Sequence, residues 1–133
     1  MDSNITCLQL WKSWSVNEPD SKYVIEAQER ISHYSRQDWI TMSEEATVMI
    51  EDMGNKVKGN LGELSEQDFD RLCSHLNDWF FKVDKTIMDK LSHSSLFDQD
   101  YISFLNKYAD GLNLYLYKMC RKYSYKLAGT NGI

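Results

Sequence analysis

The sequence HYSRQDW, residues 33–39, places a serine three residues before an aspartate, between aromatic side chains. In a helix start of this kind Ser35 accepts a hydrogen bond from the backbone N–H of Asp38, the aspartate bonds back, and the flanking aromatics form a hydrophobic staple. The sequence LSEQDF, residues 64–69, repeats the arrangement. Aspartate is shorter than the usual glutamate, which weakens the return bond, but its charge suits a helix N-terminus. The two motifs therefore predict two helix starts.

The composition predicts a single all-helical domain. The chain has 133 residues, which is enough for one domain with a substantial core. Its one proline, Pro19, lies near the amino end, and proline is the strongest breaker of helix interiors. We therefore expect an all-α bundle of about five to seven helices.

Apolar residues recur at three- and four-residue steps through most of the chain, which is typical of helices packed on one face. The predicted domain covers residues 20–127, preceded by a flexible or lid-like segment at 1–19 and followed by a mobile tail at 128–133. Within it the pattern and the caps predict helices over residues 20 or 21 to 34, 35–57, 65–83, 84 to 93–95, and 98–127, the last bent near Asp110-Gly111.

The charge and the cysteine content argue against several classes of binding partner and site. The net charge of −5 opposes nucleic-acid binding. Lys118, Arg121, Lys122 and Lys126 lie where the last predicted helix ends, a position that the helix dipole favours for solvated cations. Three cysteines without a C-x-x-C pair indicate neither a disulfide framework nor a zinc site. With no signal-peptide pattern and no apolar run of membrane-spanning length, we expect a cytoplasmic protein that does not enter a membrane.

No catalytic or metal-binding constellation is evident. His75 and Asp78 could meet on one helix face, but two ligands make an incomplete metal site. The sequence has no Gly-rich phosphate loop, no G-x-S-x-G elbow and no cysteine with an evident partner base. We predict no enzyme activity, no cofactor and no metal.

Aromatic and methionine side chains are abundant: the chain has four Trp, eight Tyr, five Phe and six Met. One interpretation is that they fill a helical core. The other is a pocket between helices, lined by aromatics, for a bulky apolar ligand. Composition alone does not separate the two.

The order of several short motifs resembles a known family. The motifs are HYSRQDW at 33–39, HLNDWF at 75–80, Leu91, DQDY at 98–101 and NKYADGLNLYL at 106–116. Together, over about residues 20–125, they resemble the TipA-type antibiotic-recognition domain, which forms the effector-binding end of some MerR-type regulators and also occurs in albicidin-resistance proteins.

The resemblance implies a globin-like helical fold that binds large, flat, peptide-derived antibiotics in a cleft without altering them. In thiopeptide-binding members the amino-terminal part closes over the ligand, and Trp11 and Trp14 could supply apolar contacts of that kind. Members that trap their ligand covalently carry a cysteine shortly after the Trp-Phe pair. Residues 81–84 contain none, and Ile87-Met88 replaces the usual Met-His pair, so albicidin-like aromatic oligoamides are favoured over thiopeptides.

We therefore hypothesise a non-catalytic monomer or homodimer that sequesters an antibiotic and confers resistance, either free-standing or as the detached effector domain of a regulator. In this hypothesis Trp39 and Trp79 form flat walls and His75 makes a polar orienting contact. The candidate ligand contacts are Trp11, Trp14, Trp39, His75, Trp79, Phe80, Met88, Leu91, Phe104, Tyr108, Leu112 and Tyr115.

Two alternatives remain open at this point. The first is a helical protein-interaction module whose apolar groove receives a partner helix. The second is haem binding, which needs an axial ligand in a suitable pocket.

Overall fold

A computed structural model of the protein describes residue 18 and residues 20–59 and 63–127, and every regular element in these ranges is a helix. This confirms the predicted all-α class and the predicted number of helices. The α-helices are α1 (Lys22–Ile31), α2 (Arg36–Lys58), α3 (Glu66–Trp79), α4 (Lys85–Phe97), α5 (Gln99–Asn106) and α6 (Leu112–Tyr123), followed by a 3-10 turn at Ser124–Leu127.

Both serine-capped helix starts are present. Ser35 Oγ accepts from Asp38 N at 3.1 Å, and the Asp38 carboxylate accepts from Ser35 N at 2.9 Å, which completes the capping box of α2. Ser65 Oγ likewise accepts from Asp68 N at 3.2 Å at the start of α3. The Asp68 carboxylate, however, bonds to side chains of other helices, so the second box is only half formed.

Two predicted helices end earlier than expected. The first was expected to reach Tyr34, but α1 ends at Ile31, after which the backbone forms tight turns. The third was expected to reach Val83, but α3 ends at Trp79. The Asn77 side chain accepts a hydrogen bond from Val83 N at 2.8 Å and so holds the chain in a loop that leaves the helix axis.

The fourth helix is longer than predicted. The serine-rich stretch at residues 93–95 was expected to end it, but α4 continues to Phe97. The hydroxyls of Ser92 and Ser95 donate to backbone carbonyls four residues back, at 3.0 Å in both cases. This bonding satisfies the buried hydroxyls within the helix, so serine does not stop α4.

The last predicted helix is two helices rather than one bent helix. α5 ends at Asn106 and α6 begins at Leu112, with Gly111 in the left-handed region at φ +87°. Glycine adopts this conformation without the steric penalty of a side chain. The Asn106 side chain accepts from Asn113 N at 3.2 Å and so bonds the end of α5 to the start of α6.

Helix α6 is central to the bundle. It packs most extensively on α4 and also contacts α2, α3 and α5, while α2 lies beside α3. At one point α2 approaches the α5–α6 connection closely: a Cβ added to Gly54 would lie 3.3 Å from Tyr108 Cβ. None of the helices in the described ranges is both long and apolar enough to cross a membrane.

A buried carboxylate joins three of these helices. Asp68 is 1% exposed and accepts from Lys56 Nζ at 2.9 Å and from Tyr115 Oη at 2.6 Å. Burial and the neighbouring Asp68 charge raise the pKa of Tyr115, so this phenol stays protonated and donates. The network fixes α2, α3 and α6 relative to one another and thereby positions the surface between α2 and α3.

Candidate ligand-binding groove

An open groove of about 740 Å³ lies between α2 and α3, a size in the range of small-molecule sites. Its lining residues are Glu44, Glu45, Val48 and Met49 from α2, and Gln67, Asp70, Arg71, Ser74, His75 and Asp78 from α3.

Helical spacing brings these residues together. The α2 positions 44, 45, 48 and 49 form one stripe, and the α3 positions 70, 71, 74, 75 and 78 form the facing one. Met49 and His75 are buried, whereas Val48 is 52% exposed. Each stripe therefore runs from the edge of the core out to solvent. Most of the residues between are polar, but carbon atoms of their side chains make much of the surface apolar.

His75 is the most unusual residue of the groove. It is 4% exposed, and neither ring nitrogen makes a hydrogen bond within the described part of the chain. Its nearest charged neighbour is Glu45, whose Oε1 lies 3.5 Å from Nδ1. Burial lowers the pKa of His75, although Glu45 and Asp78 act in the opposite direction. At neutral pH the site therefore holds a neutral imidazole with one donor and one acceptor unsatisfied.

An aromatic cluster lies at the carboxyl end of α3. Trp79 Nε1 donates to Glu45 Oε1 at 2.8 Å, which connects the indole to the groove. The Tyr34 ring packs edge-on against both Trp79 and Trp39, with centroids 5.5 Å and 6.1 Å apart, and its hydroxyl donates to the Trp79 carbonyl. Tyr34, which was predicted to be a staple residue at the end of the first helix, thus lies against both indoles that were predicted to be flat walls.

The structure places the predicted ligand contacts in different surroundings. His75 lines the groove, Trp79 borders it through Glu45, and Trp39 is half-buried against Tyr34. Most of the others lie in the core at 5% exposure or less, namely Phe80, Met88, Leu91, Phe104, Leu112 and Tyr115. Tyr108 is half-buried with its ring edge-on to Phe104 at 5.7 Å. Trp11 and Trp14 lie outside the described residues, so for all twelve the ligand-contact role stays a prediction.

Apart from His75, the polar lining of the groove was not predicted. The sequence pattern indicated aromatic walls, whereas the lining comes mainly from the charged and polar positions that flank the apolar stripes of α2 and α3. The spacing of Glu44 and Glu45 relative to Val48, and of Asp70 relative to Ser74 and Asp78, was available in the sequence. What was not available was that α2 lies beside α3, which makes two exposed faces into one groove.

No cysteine lines the groove, and neither of the two cysteines among the described residues is a ready nucleophile. Burial raises the pKa of the Cys73 and Cys120 thiols to about 12, so both stay protonated at neutral pH. Among the described residues no three His, Cys, Asp or Glu side chains are placed to hold a metal ion. The arrangement is suited to holding a ligand by polar contacts around a partly apolar floor.

Comparison with protein families gave a match over most of the chain. The sequence model of the TipAS antibiotic-recognition domain matches residues 12–123. The chain belongs to this family. Searches of curated proteins and of solved structures gave no significant match.

The TipAS match covers all six helices, including both walls of the groove. It also includes Trp14, but not Trp11. The family is a ligand-binding one, and its description names antibiotic recognition as the general activity of this domain.

Proposed function

We propose that this TipAS domain binds a bulky aromatic or peptide-derived antibiotic without covalent reaction, in the groove between α2 and α3, and confers resistance by sequestering it. The observation that carries the proposal is His75, a buried and unsatisfied imidazole in the lining of a groove, within an antibiotic-recognition domain. An unpaired buried polar group costs stability, and a ligand that pairs with it removes that cost on binding.

The surroundings of His75 suit a flat ligand with amide groups. Val48 and Met49 give the groove an apolar strip, and Trp79 lies beside its carboxylate rim. Amide N–H groups can donate to the Glu45 carboxylate, and an aromatic ring can pack on the apolar strip. Aromatic oligoamides such as albicidin have both features, and thiopeptides are the second class to test.

A groove for a partner helix is a weaker interpretation of this surface. Grooves that receive amphipathic helices present rows of apolar side chains spaced for i, i+3 and i+4 anchors. Here the apolar lining consists of Val48 and Met49, and the remaining positions are polar or charged. The groove therefore favours a small molecule with polar groups over an apolar helix face.

Titration with albicidin and with thiostrepton tests the proposal by calorimetry and tryptophan fluorescence. We expect saturable binding of at least one compound by the wild type. Trp79→Leu should weaken it by about 1–3 kcal/mol, the scale of an aromatic anchor. Phe97→Leu is the matched control, because Phe97 is a 65% exposed aromatic on α4 outside the groove, and it should leave the affinity unchanged.

Resistance is tested in a susceptible bacterium that expresses the same variants. The wild type and Phe97→Leu should raise the inhibitory concentration of the bound compound, whereas Trp79→Leu should raise it less. Absence of binding to both compounds, or equal binding by the Trp79→Leu protein in its folded state, would contradict the proposal.

A further inference from the structure

Most charges on the groove walls are negative, and two of the charged side chains are already paired. Arg71 bonds to Asp52 at 2.9 Å, outside the groove lining. Asp70 accepts from Lys126 Nζ at 2.7 Å. The only cation among the lining residues, Arg71, and one of the anions, Asp70, are therefore already compensated by partners within the protein.

Three carboxylates are left without a cationic partner. Within the described ranges Glu44 and Asp78 form no ion pair, and Glu45 accepts only the neutral indole N–H of Trp79 and faces His75. Glu44 and Glu45 come from α2 and Asp78 from α3, so negative charge faces the groove from both walls. Carboxylates grouped along one cleft reinforce one another's potential there.

His75 is a second, independent indication that the groove binds a ligand. It lies in the same lining, it is 4% exposed, and both of its ring nitrogens lack a hydrogen-bond partner. A neutral imidazole offers one acceptor nitrogen, which a positively charged N–H group can use. Because burial lowers the pKa of His75, the imidazole adds no positive charge that would offset the carboxylates at neutral pH.

We propose that the groove selects cationic ligands, namely planar aromatic or peptide-derived compounds that carry a protonated or delocalised positive nitrogen group with N–H donors. The positive group lies between Glu44 and Asp78, and an N–H group donates to Glu45 or to the acceptor nitrogen of His75. This inference rests on the proposed function and narrows its ligand to cationic compounds, so acidic or uncharged antibiotics are expected to bind more weakly than cationic ones of similar size.

A pair of dyes with one ring system tests the role of charge. Rhodamine 123 is a planar aminoxanthene cation, and rhodamine 110 is its zwitterionic acid with no net charge. Fluorescence anisotropy at pH 7.5 should show saturable binding of rhodamine 123 at micromolar concentrations and binding of rhodamine 110 that is weaker by roughly tenfold. Higher salt should narrow this difference, because exposed charges are screened.

Matched variants test whether the carboxylates of the groove are the ones that favour the cationic dye. Glu44→Gln combined with Asp78→Asn should weaken rhodamine 123 binding roughly tenfold and narrow the difference in affinity between the two dyes, because the substitutions also remove carboxylates that repel the acid group of rhodamine 110. Asp100→Asn combined with Asp110→Asn removes the same charge from exposed positions outside the groove and should have little effect. The control separates a local contact from the overall charge of the protein.

Several results would overturn the inference: no binding of rhodamine 123, equal affinities for the two dyes, or equal losses in the groove variant and the control. The antibiotic titrations distinguish this failure from failure of the proposed function. Binding of albicidin or thiostrepton together with any of these dye results would keep the antibiotic-binding proposal and discard selection for cations.

Discussion

Replacement of His75 by leucine should make the protein more stable and a poorer binder. The imidazole is 4% exposed and its two ring nitrogens have no partner among the described residues. Leucine has a similar volume and no polar atoms, so it fits the same space without an unsatisfied group. Exchange of a buried, unpaired polar group for an apolar one of similar shape is neutral or stabilising.

The expected gain follows from the state of the two nitrogens. Leaving a buried donor or acceptor unpaired costs about 1–3 kcal/mol, and replacing the residue recovers this free energy. The variant also loses the packing of the His75 ring against Phe80, whose ring centroid lies 6.2 Å away, which reduces the gain in stability. A net stabilisation of about 1–2 kcal/mol is therefore expected for His75→Leu, which corresponds to a rise of roughly 0.5–1 M in the urea midpoint.

Urea unfolding followed by circular dichroism at pH 7.5 measures this change without ligand. His33→Leu is the control, because His33 is an exposed histidine paired with Glu29 on α1, and its replacement should alter stability by less than about 0.5 kcal/mol. The same His75→Leu protein should bind the antibiotic or dye more weakly. A destabilisation of more than about 1 kcal/mol would refute the reasoning, since it would mean that the imidazole is well satisfied.

The pH dependence of stability provides a second measurement on the same variant. Burial places the pKa of His75 in the folded protein below its ordinary value of 6.5. Below about pH 6.5 the unfolded chain therefore takes up a proton that the folded protein does not, and the free energy of unfolding falls as the pH drops. The advantage of His75→Leu over the wild type should widen between about pH 7 and pH 5, and a constant difference would contradict the shift.

Other perturbations test the scaffold that positions the groove. Tyr115→Phe removes a hydrogen bond to the buried Asp68 carboxylate and should cost about 1–3 kcal/mol in urea unfolding, and an unchanged midpoint would contradict the network. Gly54→Val places methyl groups against Tyr108 and should lower the free energy of unfolding by about 1–3 kcal/mol. A variant as thermally stable as the wild type would contradict this close approach. Asp84→Ala removes the N-cap of α4 and also the acceptor of the Tyr23 hydroxyl, so it should lower stability by at least the roughly 0.5–2 kcal/mol of a cap; a smaller change would mean that both bonds contribute little.

The sequence predicted the helix starts well because their chemistry is local. At each of five starts a single side chain accepts from a backbone N–H two or three residues ahead, and the chain needs no distant partner for that bond. The capping residues are Ser21, Ser35, Ser65, Asp84 and Asp98. Four of them were assigned to helix starts from the sequence alone, and Ser21 was one of two candidates for the first.

Helix ends were harder to predict because they depend on contacts outside the helix pattern. The apolar period continues past Trp79 to Val83, yet the bond from Val83 N to the Asn77 side chain turns the chain out of the helix. Conversely, the serines of α4 resemble a stop signal but bond to their own helix. In both cases the side-chain hydrogen bond that decides the outcome is visible only in three dimensions.

The candidate site was only partly predictable, and the reason is physical. A period of apolar residues shows which face of a helix is buried, but the same pattern results whether protein or ligand covers that face. Phe104 and Leu112 follow the helical period as well as any residue in the chain, and the structure places both in the core. Only the packing of α2 beside α3 creates the groove, and that packing is a property of the whole bundle.

His75 is the residue at which core and groove impose opposite requirements. As part of α3 it lies one residue before the buried Leu76, where an apolar side chain would stabilise the bundle. As part of the groove it supplies polar atoms that the described protein leaves unpaired. Residues at functional sites commonly lower the stability of the fold because they are needed for binding. If His75→Leu raises stability and lowers affinity together, the imidazole is retained for the ligand. If it raises stability and leaves affinity unchanged, the ligand contacts lie elsewhere, and the aromatic residues around Trp39 and Trp79 become the first place to look.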